Sequence, residues 1–308
     1  MREASRPKEP GKVWAQNLES QREQARRCIE VVRSRIVGLD DQVELAVRAV
    51  SSGLPVMLEG ESGTGKTELA KAIAAGLGKT VYRVDGTQEL TATKIQGWFD
   101  PPLVIKQGYG CDSFIPGPLA AAMRDGGLFF FNETSRAPSE ALNAVLSALD
   151  ERLLYIPRLT PIEASPGFCV VFTLNPVDKV GTNPLPRALY DRCVWIQVPH
   201  LDVEEAARVV RMRTANADDD LVRGICRVVE LTRTHDEVAS GASVRSAIHI
   251  SRLLMSAPEG IDPWDPGEIL RCAHSALSRN IKMKYDAVST ADDVIRQAVE
   301  EVFGQKKA

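Results

Sequence analysis

Short apolar runs alternate with helical periodicities from about residue 36 to residue 200. The runs are Leu54–Leu58, Thr80–Val84, Leu128–Phe131, Phe168–Leu174 and Cys193–Val198. Continuous apolar stretches of this length, bounded by turn residues and separated by 3.6-residue patterns, predict buried strands of a parallel α/β sheet. Five strands are expected. Beyond residue 201 no such run recurs and the pattern is helical throughout. One example is Leu221, Val222, Ile225, Val228 and Val229, which share one helix face behind Asp218, Asp219 and Asp220. Acidic residues suit the positive end of a helix, so a helix start is expected there. Similar helices fit Val203–Arg213, Val244–Met255, Pro266–Ser278 and Ala291–Phe303. The chain therefore reads as an N-terminal arm (1–35), an α/β core (36–200) and an all-helical domain (201–308).

Composition narrows the class. The 308 residues carry 38 Lys+Arg against 41 Asp+Glu, a formal net charge of −3. That balance argues against a protein whose main task is to coat nucleic acid. No apolar run approaches the length of a membrane helix, and the start lacks a signal-peptide core, so a cytoplasmic protein is expected. Cys28, Cys111, Cys169, Cys193, Cys226 and Cys272 form no C-x-x-C pair and have no nearby histidine at ligand spacing. They read as reduced thiols. His200, His235, His249 and His274 are equally scattered.

Residues 60–67 read Gly60-Glu61-Ser62-Gly63-Thr64-Gly65-Lys66-Thr67 and match G-x-x-x-x-G-K-[ST]. Glycines let the backbone wrap closely enough for its N–H groups to face phosphate oxygens. Lys66 brings positive charge to the β- and γ-phosphates, and the Thr67 hydroxyl can ligate Mg²⁺. The loop follows an apolar run and opens a helix, from Lys66 through Ala74, whose N-terminal end faces the same phosphates. Binding of ATP with Mg²⁺ is the expectation, over the Gly60–Glu68 stretch.

Such a loop needs an acidic partner at the end of another buried strand. Gly127–Phe131 leads into Asn132-Glu133. Glu133 suits a general base or water-positioning group. The preceding position, where a metal-supporting Asp is usual, is Asn132. Its amide oxygen can accept a hydrogen bond from metal-bound water but brings no charge. Slower hydrolysis, with binding retained, is one consequence to expect.

With these residues assembled, the chain resembles an AAA+ ATPase of the MoxR and dynein-related (midasin-like) branch over roughly residues 30–285. Thr134-Ser135-Arg136-Ala137-Pro138 is similar to the branch's N-R-A-P segment. Asn175-Pro176 resembles the sensor-1 strand tip, which implies that Asn175 senses the γ-phosphate. Leu185-Pro186-Arg187-Ala188-Leu189-Tyr190-Asp191-Arg192-Cys193 is similar to L-P-x-A-x-x-D-R-F. The match makes Arg192 the arginine finger reaching a neighbouring subunit's nucleotide, with Arg187 a second candidate and a local salt bridge the plain alternative. Gly241-Ala242-Ser243-Val244-Arg245 is similar to the sensor-2 G-A-S-P-R motif, so Arg245 is expected at the nucleotide from a lid. Val37-Gly38 matches the stretch that lies against adenine.

The resemblance implies a P-loop sheet core with a helical lid, a ring of identical subunits, hexameric by expectation, and a protein client. In that branch the client is often a von Willebrand factor A-domain protein. Pro102–Gln107 and Asp112–Pro116 around Gly108-Tyr109-Gly110 read as a projecting hairpin, with Tyr109, Trp98 and Phe99 as candidate contacts. Two alternatives stay open: a nucleotide-gated scaffold with negligible hydrolysis because of Asn132, and a DNA-directed AAA+ motor subunit.

Overall fold

The computed structural model describes residues 10–177, 181–214 and 218–304. In chain order its first elements are α1 (Pro10–Arg33), α2 (Asp40–Ser51), β1 (Val56–Glu59), α3 (Lys66–Gly76), β2 (Val81–Asp85) and α4 (Ala92–Gln96). Then come β3 (Gly97–Phe99), α5 (Pro101–Gln107), β4 (Phe114–Pro116), α6 (Pro118–Asp125), β5 (Leu128–Asn132) and α7 (Ser139–Glu151). They are followed by β6 (Leu153–Leu154), β7 (Ile162–Glu163), β8 (Cys169–Leu174), α8 (Arg187–Arg192) and β9 (Val194–Gln197). The remainder is α9 (Val203–Arg213), α10 (Asp219–Thr234), β10 (Val238–Ser240), α11 (Val244–Met255), α12 (Pro266–Leu277), β11 (Lys282–Met283) and α13 (Ala291–Phe303).

The chain divides into two compact units. One holds residues 1–60 and 65–198, the other 61–64 and 199–308. The first unit is built on a five-stranded sheet in the order β2-β5-β8-β1-β9, with every pairing parallel. The expected sheet is therefore present. Its middle strands are apolar on both faces because helices cover both. Phe129, Phe130 and Phe131 on β5 and Phe172 on β8 are completely buried. In register, Asp85 pairs with Asn132, Phe131 with Phe172, and Leu58 with Thr173. Polar residues thus line up one row beyond the phenylalanines, at the C-terminal edge of the sheet.

The helix expected in an N-terminal arm packs into this unit: α1 lies on α2 and α3 and buries Ala25, Cys28 and Val32. The arm's first nine residues lie outside the described residues. The hairpin expectation is corrected. Residues 101–107 are the helix α5, because the Asp100 carboxylate accepts from Leu103 N (3.0 Å) and two prolines occupy its first positions. The strand pairing falls instead between β3 and β4, with Trp98 opposite Ile115. Tyr109 packs edge-on against Phe99, and the Arg158 guanidinium sits 3.9 Å above its ring.

In the second unit, α9 and α11 have the expected limits and α10 begins as expected, capped by Asp218, whose carboxylate accepts from Asp220 N and Leu221 N. A two-stranded antiparallel pair, β10 with β11, breaks the all-helical expectation. Runs of two or three residues are too short to show a two-residue period. No described helix is long and apolar enough to cross a membrane.

Candidate functional site

The loop after β1 has the backbone that its glycines foretell. Gly63 and Gly65 have φ of 80° and 95°, a region costly for other residues. Gly60 N donates to the Leu174 carbonyl (3.1 Å), anchoring the loop's start beside the end of β8. Lys66 Nζ arches back to the Gly60 carbonyl (2.7 Å), and Leu69 N closes the first turn of α3 on Gly65 O. Glu68 pairs with Lys71 along α3 (3.1 Å).

At the neighbouring strand ends a polar cluster forms. Thr67 Oγ1 donates to Asn132 Oδ1 (3.4 Å), and Thr173 Oγ1 donates to the same oxygen (3.0 Å). Asn132 Nδ2 donates to Asp85 Oδ1 (2.8 Å). Arg83 grips Asp85 with a fork, Nε to Oδ2 at 3.0 Å and Nη2 to Oδ1 at 2.6 Å. That fork, opposed by partial burial and helped by the Asn132 amide, holds the Asp85 carboxyl below the usual carboxylate range.

Glu133 follows in a left-handed conformation (φ 54°, ψ 50°), uncommon for a side chain of its size. Three contacts hold it there. Its N–H donates to Thr173 Oγ1 (2.9 Å), its carboxylate meets Arg136 Nε (3.0 Å), and its carbonyl accepts from Arg136 N. Gly86 is pressed against it: a Cβ at residue 86 would lie 2.2 Å from the Glu133 carbonyl oxygen. A non-glycine residue on a strained backbone at a strand end is a recurrent feature of functional sites.

Nothing in the sequence marks Asp85 or Thr173 as a member of this cluster: Asp85 lies one residue past the apolar run Thr80–Val84, and Thr173 lies inside the run Phe168–Leu174.

Other expected site residues sit elsewhere. Asn175 follows β8 directly, and its Oδ1 accepts from Val177 N (3.2 Å), so its side chain closes a local turn. Arg192 is clasped by both carboxylate oxygens of Asp150 on α7, and its Nη1 donates to the Ala188 carbonyl (2.9 Å). The Arg192 guanidinium keeps the Asp150 carboxyl below its usual range. Arg187 is exposed on the first turn of α8 and has no ion-pair partner among the described residues. Val37 and Gly38 lie on the α1–α2 turn, where Gly38 and Leu39 are both left-handed.

Within the second unit, Glu61 Oε2 accepts from Ser240 Oγ (3.0 Å) and lies 3.6 Å from His200 Nε2. Thr64 Oγ1 donates to the Glu61 carbonyl (3.0 Å), and Ser62 lies between them in the loop. A Cβ on Gly63 would meet Ser243 Oγ at 2.3 Å. Arg245 is exposed at the start of α11.

The parallel sheet, the glycine loop opening α3 and the Asn-Glu pair ending β5 define a P-loop ATPase of the AAA type. Residues 55–193 match the AAA domain (dynein-related subfamily). Among curated relatives, an uncharacterized protein of Staphylococcus haemolyticus is 29% identical over 74% of the chain and 89% of the relative. The gas vesicle ATPase GvpN of Ancylobacter aquaticus is 28% identical over 75% of the chain and 69% of its own length. GvpN1 of Halobacterium salinarum is 25% identical over 80% and 74%. Among solved structures, a candidate ATPase from Cytophaga hutchinsonii aligns with a TM-score of 0.53 at 20% identity, over 94% of this chain and 98% of that one. A RuvB variant of Thermotoga maritima aligns at 0.50 and 16% identity, over 86% and 71%. At these identities the structures speak for the fold alone.

Proposed function

We propose that the chain binds ATP with Mg²⁺ and hydrolyses it within a cytoplasmic ring of identical subunits, six by family likeness, to remodel or mature a protein client. The observation that carries the reading is the convergence of Thr67, Asn132 and Glu133 at the sheet edge beside Lys66. The donor set suits Mg²⁺, which takes oxygen ligands, keeps several waters and needs few protein groups. The Thr67 hydroxyl and the Asn132 amide oxygen would hold it or its waters. When bound, it supplies charge neutralisation to the phosphates.

The chain's own residues do the rest. Glycine-loop N–H groups from Gly60 to Gly65 and the Lys66 ammonium bind and orient the phosphates. Glu133 takes a proton from, or aligns, the attacking water, its carboxylate steadied by Arg136. Asn175 would report on the γ-phosphate by exchanging its turn hydrogen bond. Arg245 would couple nucleotide state to the helical unit, and Val37-Gly38 would lie against the base. Arg192 is the first candidate for the group completing a neighbour's site, which requires it to leave Asp150. The exposure of Arg187 supports it as the second.

The client class rests on likeness to the MoxR branch, where von Willebrand factor A-domain proteins are frequent partners. The near-neutral charge supports a protein over DNA. Asn132 favours one other reading, a nucleotide-gated scaffold. Steady-state ATPase of the full chain against Lys66→Ala decides between them. Turnover above that control supports hydrolysis, whereas none, with a gain in Asn132→Asp, supports the scaffold. Affinity capture with Glu133→Gln under ATP tests the client. Strongly salt-dependent stimulation by duplex DNA would instead indicate a DNA motor.

A further inference from the structure

We propose that Asp85 is a positioning residue for the metal site: its carboxylate fixes which way round the Asn132 amide stands. The inference rests on the Mg²⁺-nucleotide reading above and adds a residue to it. A primary amide offers an oxygen on one side and two N–H donors on the other, and the two orientations have nearly the same shape. The partners of Asn132 do not contribute equally to the choice between them. Thr67 and Thr173 carry hydroxyls, which donate or accept and so tolerate either orientation. Asp85 is a carboxylate and can only accept. With Asp85 2.8 Å from one end of the amide, that end must be Nδ2. Oδ1 is then turned toward Thr67 and Thr173. The reversed amide would set its oxygen against the Asp85 carboxylate and present N–H donors to the place where a cation must sit.

Sheet register makes the arrangement durable. Asp85 and Asn132 are paired residues of adjacent parallel strands, and the Gly86 N–H donates to the Asn132 carbonyl (2.8 Å) just beyond them. Arg83, two residues earlier on the same strand and hence on the same face, locks the carboxylate with its fork. Its guanidinium lies 5.7 Å from the centre of the Phe130 ring. The ion pair is locally neutral, so Asp85 acts by dictating orientation and not by lending charge to the metal. An edge-strand residue thereby gives a neutral amide the polarity that an aspartate at residue 132 would have without help.

The test measures metal affinity in the full chain, using Mn²⁺ as the probe by electron paramagnetic resonance in the presence of ADP. Fluorescent-ADP binding in EDTA serves as the metal-free control. Loss of a residue that orients a ligand from behind costs about 10- to 100-fold in metal affinity. Asp85→Ala is expected to weaken Mn²⁺ binding about tenfold while leaving ADP affinity in EDTA unchanged. The exchange Asp85→Asn with Asn132→Asp keeps one carboxylate and one amide in contact and is expected to restore Mn²⁺ affinity. Asn132→Asp alone sets two carboxylates against each other and is expected to fall short of the exchange. Unchanged Mn²⁺ affinity in Asp85→Ala overturns the proposal, as does an equal loss of ADP affinity in EDTA. So does failure of the exchange to rescue. In each of those cases wild-type binding of ADP and Mn²⁺ leaves the ATPase reading standing. Absence of nucleotide binding in the wild type itself overturns both.

Discussion

Thr173→Val removes one hydroxyl at almost constant volume and tests the strand-end network at its centre. Thr173 is 1% exposed, donates to Asn132 Oδ1 and accepts from Glu133 N. The valine leaves the Glu133 N–H without its acceptor, at about 1–3 kcal/mol for an unmet donor that is at least partly buried. Extra apolar burial returns less than about 0.8 kcal/mol, the value of one methylene. The net loss is about 1–2 kcal/mol. At about 2–4 °C per kcal/mol, the rate for chains of 150–250 residues, the melting temperature falls by roughly 2–8 °C. Activity should suffer more than folding. Left-handed backbone costs a non-glycine residue about 1–2 kcal/mol, and a net hydrogen bond of about 1 kcal/mol is of the same size. Without that bond Glu133 relaxes out of its conformation. The expected result is a fall in kcat of about tenfold, equivalent to 1.36 kcal/mol, with ATP affinity unchanged. Thr173→Ser keeps the hydroxyl and should recover most of it. Differential scanning calorimetry and steady-state ATPase assays read both quantities. A variant as stable and as active as wild type would falsify the role given to Thr173.

Three further expectations concern other parts of the first unit and the thiols of the chain. Gly86→Ala drives a Cβ to 2.2 Å from the Glu133 carbonyl oxygen, so one strand end must move. ATPase activity should drop far more than nucleotide affinity, and equal losses would show that the contact serves the fold alone. Burial pushes the thiols of Cys28 and Cys169 up to about 11 and those of Cys193 and Cys226 up to about 12, and raises Cys272 as well. Cys111 is exposed, so a thiol-disulfide reagent at pH 8 should react fast with Cys111 only, and Cys111→Ser should abolish that phase. Asp150 is held below the usual carboxylate range by Arg192, so its contribution to stability is full above its unfolded pKa, about 3.9, and disappears as pH falls through the lower folded value. The gap in melting temperature between wild type and Asp150→Asn should therefore be constant from pH 5 to 8 and close in acid. A gap that changes between pH 6 and 8 would rule out the clasp as its source.

The sheet was legible because buried strands need continuous apolar residues, and five such runs stood out. The glycine loop was legible because few other functions need that spacing between a strand and a helix. What escaped was whatever depends on one residue's neighbours in space. Residues 102–107 are apolar enough for a strand, yet Asp100 and two prolines start a helix there, a local signal that hydrophobicity alone does not carry. Asp150 and Arg192 are 42 positions apart, and nothing local marks them as partners. Asp85 and Thr173 gave only faint signals, a charge just past one run and a hydroxyl inside another.

Those faint signals share a physical origin. In a parallel sheet, residues of one register row face the same side, and covering helices keep the rows below dry. Phe131 and Phe172 form such a dry row and are wholly buried. One residue further the side chains become Asp85, Asn132 and Thr173, each hydrogen-bonded to the next. On β5 the change from apolar to polar is a single step, from Phe131 to Asn132, and the ligand-binding edge of an open α/β sheet begins there. A lone polar residue just past an apolar run or inside one is weak evidence on one strand. On three neighbouring strands at one level it marks the edge itself, and an asparagine in that row is read through its neighbours. Where an aspartate would carry its own charge and accept from any donor, an amide takes its direction from the carboxylate beside it.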